Sequence, residues 1–237
     1  MFIQAFNTLP KIDYLPEYDQ PDYPGIHAVM YDGLAKEGTS TKIFAYIGFP
    51  AGASAENPVP AVVLVHGGGG HAFPEWIKVW NQRGYAAIAM CNTGHFPKRP
   101  GKIDIYGPSD WTHELEEMHL TRDGWTLIPD NDGMKSYEQE LSTQWMYHAV
   151  GSVIRAHNLL RADERVDKDR IGITGISWGG VITSITMGYD NRFAFYIPVY
   201  GCAHLGESLT WMKDCFTPAA VKLCDATKRQ ERVRGPV

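Results

Sequence analysis

An α/β architecture, a mostly parallel sheet with flanking helices, is the fold class that this 237-residue sequence predicts. Three observations carry the prediction. Short continuous apolar runs such as Ala61-Val62-Val63-Leu64-Val65 have the character of strands buried on both faces, as parallel strands are. These runs alternate with segments of helical period, the pattern of a parallel sheet with crossover helices. One strand, Ile171-Gly172-Ile173-Thr174, runs straight into Gly175-Ile176-Ser177-Trp178-Gly179 and from there into a helical segment.

Taken in order, residues near 27–31 and 41–48 read as two edge strands joined by a turn-rich stretch, and 50–60 as a polar loop. The strand at 61–65 is followed by a helix over 73–83, closed by Gly84, and by a strand at 85–91. A segment of over forty residues, about 92–135, shows no period and is rich in aromatic residues, including Trp111 and Trp125. Loops of that length in a compact domain are commonly functional, and this one is expected to form a lid-like insertion over a ligand crevice. A strong helix is expected over 138–161, because Leu141, Trp145, Met146, Ala149, Val150, Val153 and Ile154 recur at helical spacing. The strand at 170–174, a helix from Trp178 to about Met187, and a strand at 195–200 complete the pattern. One domain, 1–237, is the simple reading, with 206–237 as an atypical tail.

Composition narrows the function classes. The chain is 44% hydrophobic and 21% charged, with a formal net charge of −5 and no basic cluster on a periodic face, which argues against a nucleic-acid partner. No leader-like segment and no run of 18 apolar residues is visible, so a cytoplasmic location is expected, without a membrane partner. Cys91, Cys202, Cys215 and Cys224 lack metal-type spacing. Neither a metal nor a cofactor is expected.

The chemistry concentrates in two motifs. A serine hydroxyl becomes a useful nucleophile when it projects from a tight strand-to-helix turn, which leaves little room for side chains two residues to either side. Ser177 between Gly175 and Gly179 has that setting, whereas a bare G-x-S-x-G without a flanking strand and helix would be an ordinary glycine turn. Upstream, the apolar strand ending at Val65 flows into His66-Gly67-Gly68-Gly69-Gly70. Attack on a carbonyl places negative charge on oxygen, and backbone N–H groups in a glycine-rich loop can approach it closely. The candidate donors are the N–H of Trp178 and that of Gly68 or Gly69. A phosphate-binding reading of the glycine run lacks the Lys-Ser/Thr pair of a P-loop.

The segments VPAVVLVHGGGG (59–70), RGYAAIAM (83–90), DKDRIGITGISWGG (167–180) and FAFYIPVYGC (193–202) resemble the α/β-hydrolase superfamily, and within it the prolyl-oligopeptidase-like and acetyl-xylan-esterase-like serine hydrolases. The resemblance implies a Ser-His-Asp mechanism and acyl esters or peptides as substrates. The triad order in this fold is Ser, then acid, then His. His204 is the one histidine after Ser177, and Asp190 the one acid between them. At about 1.5 Å per residue along the helix, Asp190 lies nearly 20 Å from the serine hydroxyl, too far to orient a base there. The family places its acid after a seventh strand and its histidine after an eighth, and no comparable apolar run follows Tyr200. The expected fold therefore lacks the last two strands. The strand at 195–200 would then be an exposed apolar edge open to self-association.

The expected activity is that of a serine hydrolase cleaving small acyl groups, for instance acetyl from carbohydrate, through an acyl-Ser177 intermediate. The partner is accordingly a small acyl ester or an acylated carbohydrate. The alternatives are a hydrolase-fold binding module without turnover or truncated gene product, and a serine peptidase of the prolyl-oligopeptidase type. His66, His95, Trp111 and His204 are candidate pocket residues, although His66 reads more readily as a structural hydrogen-bonding residue and Trp111 has packing in a small satellite core as its alternative.

Overall fold

The strands that read most plainly in the sequence form the middle of the sheet. The structure is a computed structural model that describes residues 2–97, 115–116, 121–122, 125–129, 131–132, 136 and 138–201. Its elements are α1 (Ile3–Asn7), β1 (Ile12–Tyr14), β2 (Ile26–Asp32), β3 (Ser40–Gly48), β4 (Val59–Val65), α2 (Pro74–Asn81), β5 (Ala86–Met90), β6 (Phe96–Pro97), β7 (Leu115–Glu116), β8 (Thr121–Arg122), β9 (Trp125–Leu127), α3 (Trp145–Ala162), β10 (Val166–Ile176), α4 (Trp178–Tyr189) and β11 (Phe195–Val199). The main sheet has the order β1-β2-β3-β5-β4-β10-β11. From β5 to β11 the pairings are parallel, and from β1 to β5 they are antiparallel.

Side chains alternate across the parallel strands and feed two cores. Ala61, Val63 and Val65 of β4 pack with Ile88, Met90, Ile171 and Ile173 under α1, α3 and α4. Val62 and Leu64 point to the other face, with Ala87, Ala89 and Ile77 of α2. This period-2 division of a wholly apolar strand is why β4 reads as a continuous run. The α/β-hydrolase-type architecture is therefore present: a sheet covered by helices on both faces, with β4 and β10 adjacent at its centre.

Three local expectations are corrected. The strands near 27–31 and 41–48 are interior rather than edge strands, because β1 pairs outside β2, and β3 pairs with β5. β1 is only three residues long and carries no apolar signal. The long helix starts at Trp145, not at 138, because Leu141–Thr143 is a 3-10 turn. There the Thr143 hydroxyl donates to the Glu140 carbonyl at 2.8 Å and the Gln144 amide donates to the Gln139 carbonyl at 2.9 Å, local bonds that compete with the helical ladder. The segment 92–135 is not wholly irregular: β6 pairs with β7, β8 with β9, and β9 joins β3 in parallel. Phe96 anchors its start, 3% exposed between the rings of Tyr18 and Phe44. Trp111 and His204, Cys202, Cys215 and Cys224, the rest of the lid-like segment and the tail 206–237 lie outside the described residues. Cys91 is a buried free thiol. No described helix is long and apolar enough to cross a membrane.

At the end of the sheet opposite the serine, a polar cluster ties three helices together. Asp190, which closes α4, accepts from His157 Nδ1 of α3 at 2.9 Å, and both side chains are fully buried. Arg192 grips the same carboxylate with two N–H groups, at 2.8 and 2.7 Å, and reaches Asn158 at 3.0 Å. The Asn158 amide in turn donates to the Ala5, Phe6 and Thr8 carbonyls, which fixes α1 on the helical face. Burial opposes ionisation of Asp190, but the Arg192 and His157 bonds outweigh it and hold the carboxyl well below the usual carboxylate range. Asp190 thus orients His157 and α1, far from Ser177.

A depressed carboxylate pKa stabilises the fold above the unfolded value of 3.8, and that contribution is lost as pH falls through the folded value. Asp190→Asn is expected to cost about 3 kcal/mol at pH 7 by removing the buried carboxylate charge that His157 and the half-buried Arg192 hold. Urea unfolding followed by circular dichroism should show the gap from wild type narrowing below about pH 4; a gap that stays constant down to pH 3 would contradict this assignment.

Candidate active site

The turn that ends β10 determines the site. Ser177 has φ +57° and ψ −119°, a conformation rarely tolerated by a residue with a Cβ. Three main-chain hydrogen bonds hold it there. The Ser177 N–H donates to the Val199 carbonyl of β11 at 2.8 Å, and the N–H groups of Gly180 and Val181 return to the Ser177 carbonyl at 2.9 and 3.1 Å, starting α4. The turn is closed so tightly that a Cβ on Gly175 would run into the Gly179 main chain and lie 2.7 Å from Thr183 Oγ1. A Cβ on Gly179 would collide with the Val65 carbonyl and lie 2.7 Å from that of His66. Tyr200, at φ +57° and 80% exposed, follows the Val199 carbonyl at the same edge.

The glycine loop after β4 lies against this turn. A Cβ on Gly67 would sit 3.1 Å from that of Ser177, and one on Gly68 would sit 2.6 Å from Trp178 Cδ1 and 3.1 Å from the Asn131 amide nitrogen. The Gly70 N–H is used within the loop, donating to the Gly67 carbonyl at 3.1 Å. Gly68 and Gly69 are exposed, and Gly69 is left-handed at φ +71°. Loop and serine therefore meet at the carboxyl ends of adjacent parallel strands, where a ligand crevice is expected in this architecture.

Three described histidines, His66, His71 and His95, are engaged with groups other than the serine. The Asn92 N–H donates to His66 Nε2 at 3.0 Å, so that nitrogen carries no proton; Nδ1 must carry it, and donates to the Gly67 carbonyl at 2.6 Å. His66 is buried, and with both ring nitrogens engaged it braces the loop rather than lining a pocket as a base. His71 donates through Nδ1 to the Ala72 carbonyl at 2.6 Å and packs on the Phe73 ring. Burial lowers its pKa to about 4, so it is neutral at neutral pH. His95 Nδ1 lies 3.0 Å from the Thr93 hydroxyl, and the His95 N–H points at Cys91 Sγ at 3.3 Å. Among the described residues no group of three or more metal-binding side chains is present.

Sequence reasoning missed Asn92, Trp145 and Asn131. The first two stand where signals existed, an Asn directly after an apolar strand and a Trp opening a helix, but their partners lie 26 and 53 residues away.

With the turn, the glycine loop and the sheet order in place, comparison with known proteins is decisive. The family model described as the prolyl oligopeptidase family matches residues 113–234, just over half of the chain. This chain belongs to the prolyl oligopeptidase family. Among solved structures it is similar to an acetyl xylan esterase from a Paenibacillus species, at 22% identity and a TM-score of 0.58, covering 96% of this chain and 65% of that one. It is also similar to acetyl xylan esterase 1 from a Thermoanaerobacterium species, at 14% identity and a TM-score of 0.52, covering 81% of this chain and 54% of that one. Both likenesses concern the fold. This family member spans less than two thirds of either protein's length.

Gly179→Ala tests the turn. Its methyl group would meet the main chain of Val65 and His66, so relief requires moving β4 away from β10. The expected outcome is a loss of about 3 kcal/mol or more, read as a lowered thermal midpoint, from strain that a side-chain rotation cannot relieve. Gly188→Ala on the same helix meets open space and should be neutral or slightly stabilising; equal effects at the two positions would count against the close approach.

Proposed function

We propose that this chain is a serine ester hydrolase that removes small acyl groups, with acetyl groups on carbohydrate as the substrate class. The observation that carries the proposal is Ser177 held at φ +57° on a glycine-flanked turn, with Gly67 of the neighbouring glycine loop against its Cβ and Gly68 against Trp178. In the proposed reaction Ser177 Oγ attacks the ester carbonyl, and the N–H of Trp178 with that of Gly68 or Gly69 stabilises the oxyanion. The alcohol leaves with a proton, and water then hydrolyses the acyl-serine. Support for an acetyl ester comes from the two acetyl xylan esterases that share the fold. The base in this proposal is His204, the single histidine downstream of the nucleophile; His66 is given no such role, since both its ring nitrogens are engaged.

A second reading, a hydrolase-fold module that binds without turnover, is favoured by one observation: each of His66, His71 and His95 is engaged with a group other than the serine. A peptidase activity is the reading that the family name favours. One set of measurements separates the three. A fluorophosphonate should label the wild type and not Ser177→Ala, and p-nitrophenyl acetate should be turned over in preference to a prolyl p-nitroanilide. Wild type that resists labelling sinks the active-enzyme reading; preference for the anilide replaces the esterase by a peptidase.

A further inference from the structure

Four consecutive glycines, Gly67 to Gly70, form the loop that would present one oxyanion donor. Glycine loses more conformational freedom on folding than any other residue, so such a loop is ordered only if something outside it holds it. A preorganised donor is effective because no reorganisation is needed when charge develops. The question of what holds this loop is therefore a question about rate.

The structure answers with a chain of buried hydrogen bonds that begins on a different element. The indole Nε1–H of Trp145, the first residue of α3 and wholly buried, donates to the Asn92 carbonyl at 2.6 Å. The Asn92 main-chain N–H donates to His66 Nε2 at 3.0 Å, and its side-chain amide donates to the His66 carbonyl at 2.8 Å, so one residue grips His66 at both ring and backbone. The His66 ring then passes the restraint on through Nδ1–H to the Gly67 carbonyl at 2.6 Å. Asn92 is 0% exposed, and its side-chain oxygen has no partner among the described residues. A buried acceptor without a partner is a net cost, so a residue present only to fill this volume would be apolar. The amide donor is what the position retains.

The same indole reaches the other half of the site. The Trp145 ring meets that of Trp178 edge to face, with centroids 5.3 Å apart at 87°. Trp178 is the residue after the nucleophile and supplies the second proposed donor. Its Cδ1 lies against Gly68, close enough to exclude a Cβ there. One buried side chain thus touches both routes: by hydrogen bonds to the glycine loop, and by ring packing to the residue that follows Ser177.

We propose that Trp145 and Asn92 are positioning residues that set the two oxyanion donors of this site at a fixed separation, Trp145 acting through both Asn92–His66 and Trp178. The inference rests on the hydrolase reading of Ser177 and deepens it. Neither residue touches substrate. Their effect falls on the transition state, where the carbonyl oxygen carries charge, and not on ground-state binding.

The test uses the full chain with p-nitrophenyl acetate and fluorophosphonate labelling. Trp145→Phe keeps a buried ring against Trp178 and removes the donor to Asn92; Asn92→Leu keeps the volume and removes the grip on the His66 carbonyl. Each is expected to lower kcat on the order of 10²-fold, the scale of a donor displaced by about 1 Å, with KM within about twofold of wild type. The double variant should lose little more than the worse single variant, because the two act in one chain. Unchanged kcat, a rise in KM at constant kcat, a loss that merely tracks the folded fraction by circular dichroism, or fully additive losses each overturn the inference. Wild type active beside unaffected variants sinks this inference alone, whereas inert wild type sinks it together with the hydrolase reading.

Discussion

The main-chain approach of the Ser177 turn to the ends of its neighbouring strands is the constraint on which the rest depends. β10 is flanked by β4 and β11, and the turn at its end must fit between a carbonyl from each. On one side Gly179 sits against Val65 and His66; on the other the Ser177 N–H is bound by Val199. A left-handed serine is unfavourable by itself, by about 1–2 kcal/mol, and persists where surrounding contacts leave no alternative. The strain marks where the sheet's rigidity is delivered to a single hydroxyl.

From that constraint the layering follows. β4 and β10 must be in register for Gly179 to meet Val65, and their register is fixed by apolar side chains divided between two cores. α3 packs one face and brings Trp145 beneath the turn. The cluster of His157, Asp190, Arg192 and Asn158 closes α4 against α3 and α1 at the other end, so the helix that starts at Ser177 is anchored at both termini.

How much of this the sequence discloses depends on the range of the interaction. β4, β5 and the 171–173 stretch of β10 are legible because strands buried on both faces must be apolar throughout, β11 because its run is apolar even though Ile197 and Val199 are exposed, and Gly175 and Gly179 because a backbone approach excludes every other residue. β1 and α1 are not, since their places are set by partners far along the chain: Asn158 holds carbonyls about 150 residues away, and β1 is identified only by pairing with β2. The start of α3 was masked by a 3-10 turn whose composition matches a helix. In the site, Ser177 and the glycine loop announce themselves, while Asn92 and Trp145 act through single hydrogen bonds that leave no local pattern. Asp190 shows the converse: distance along α4 was enough to remove it from the serine, and its actual partner, His157, came from another helix.

The central claim is that the nucleophile turn and the glycine loop form one rigid unit around a developing oxyanion. A crystal structure of the chain phosphonylated at Ser177 tests it most directly. The account expects the phosphonyl oxygen about 3 Å from the N–H of Trp178 and from that of Gly68 or Gly69, the distance at which such donors act, with the bonds joining Trp145, Asn92 and His66 intact. A phosphonyl oxygen turned to solvent, with the glycine amides directed away from it, would contradict the account.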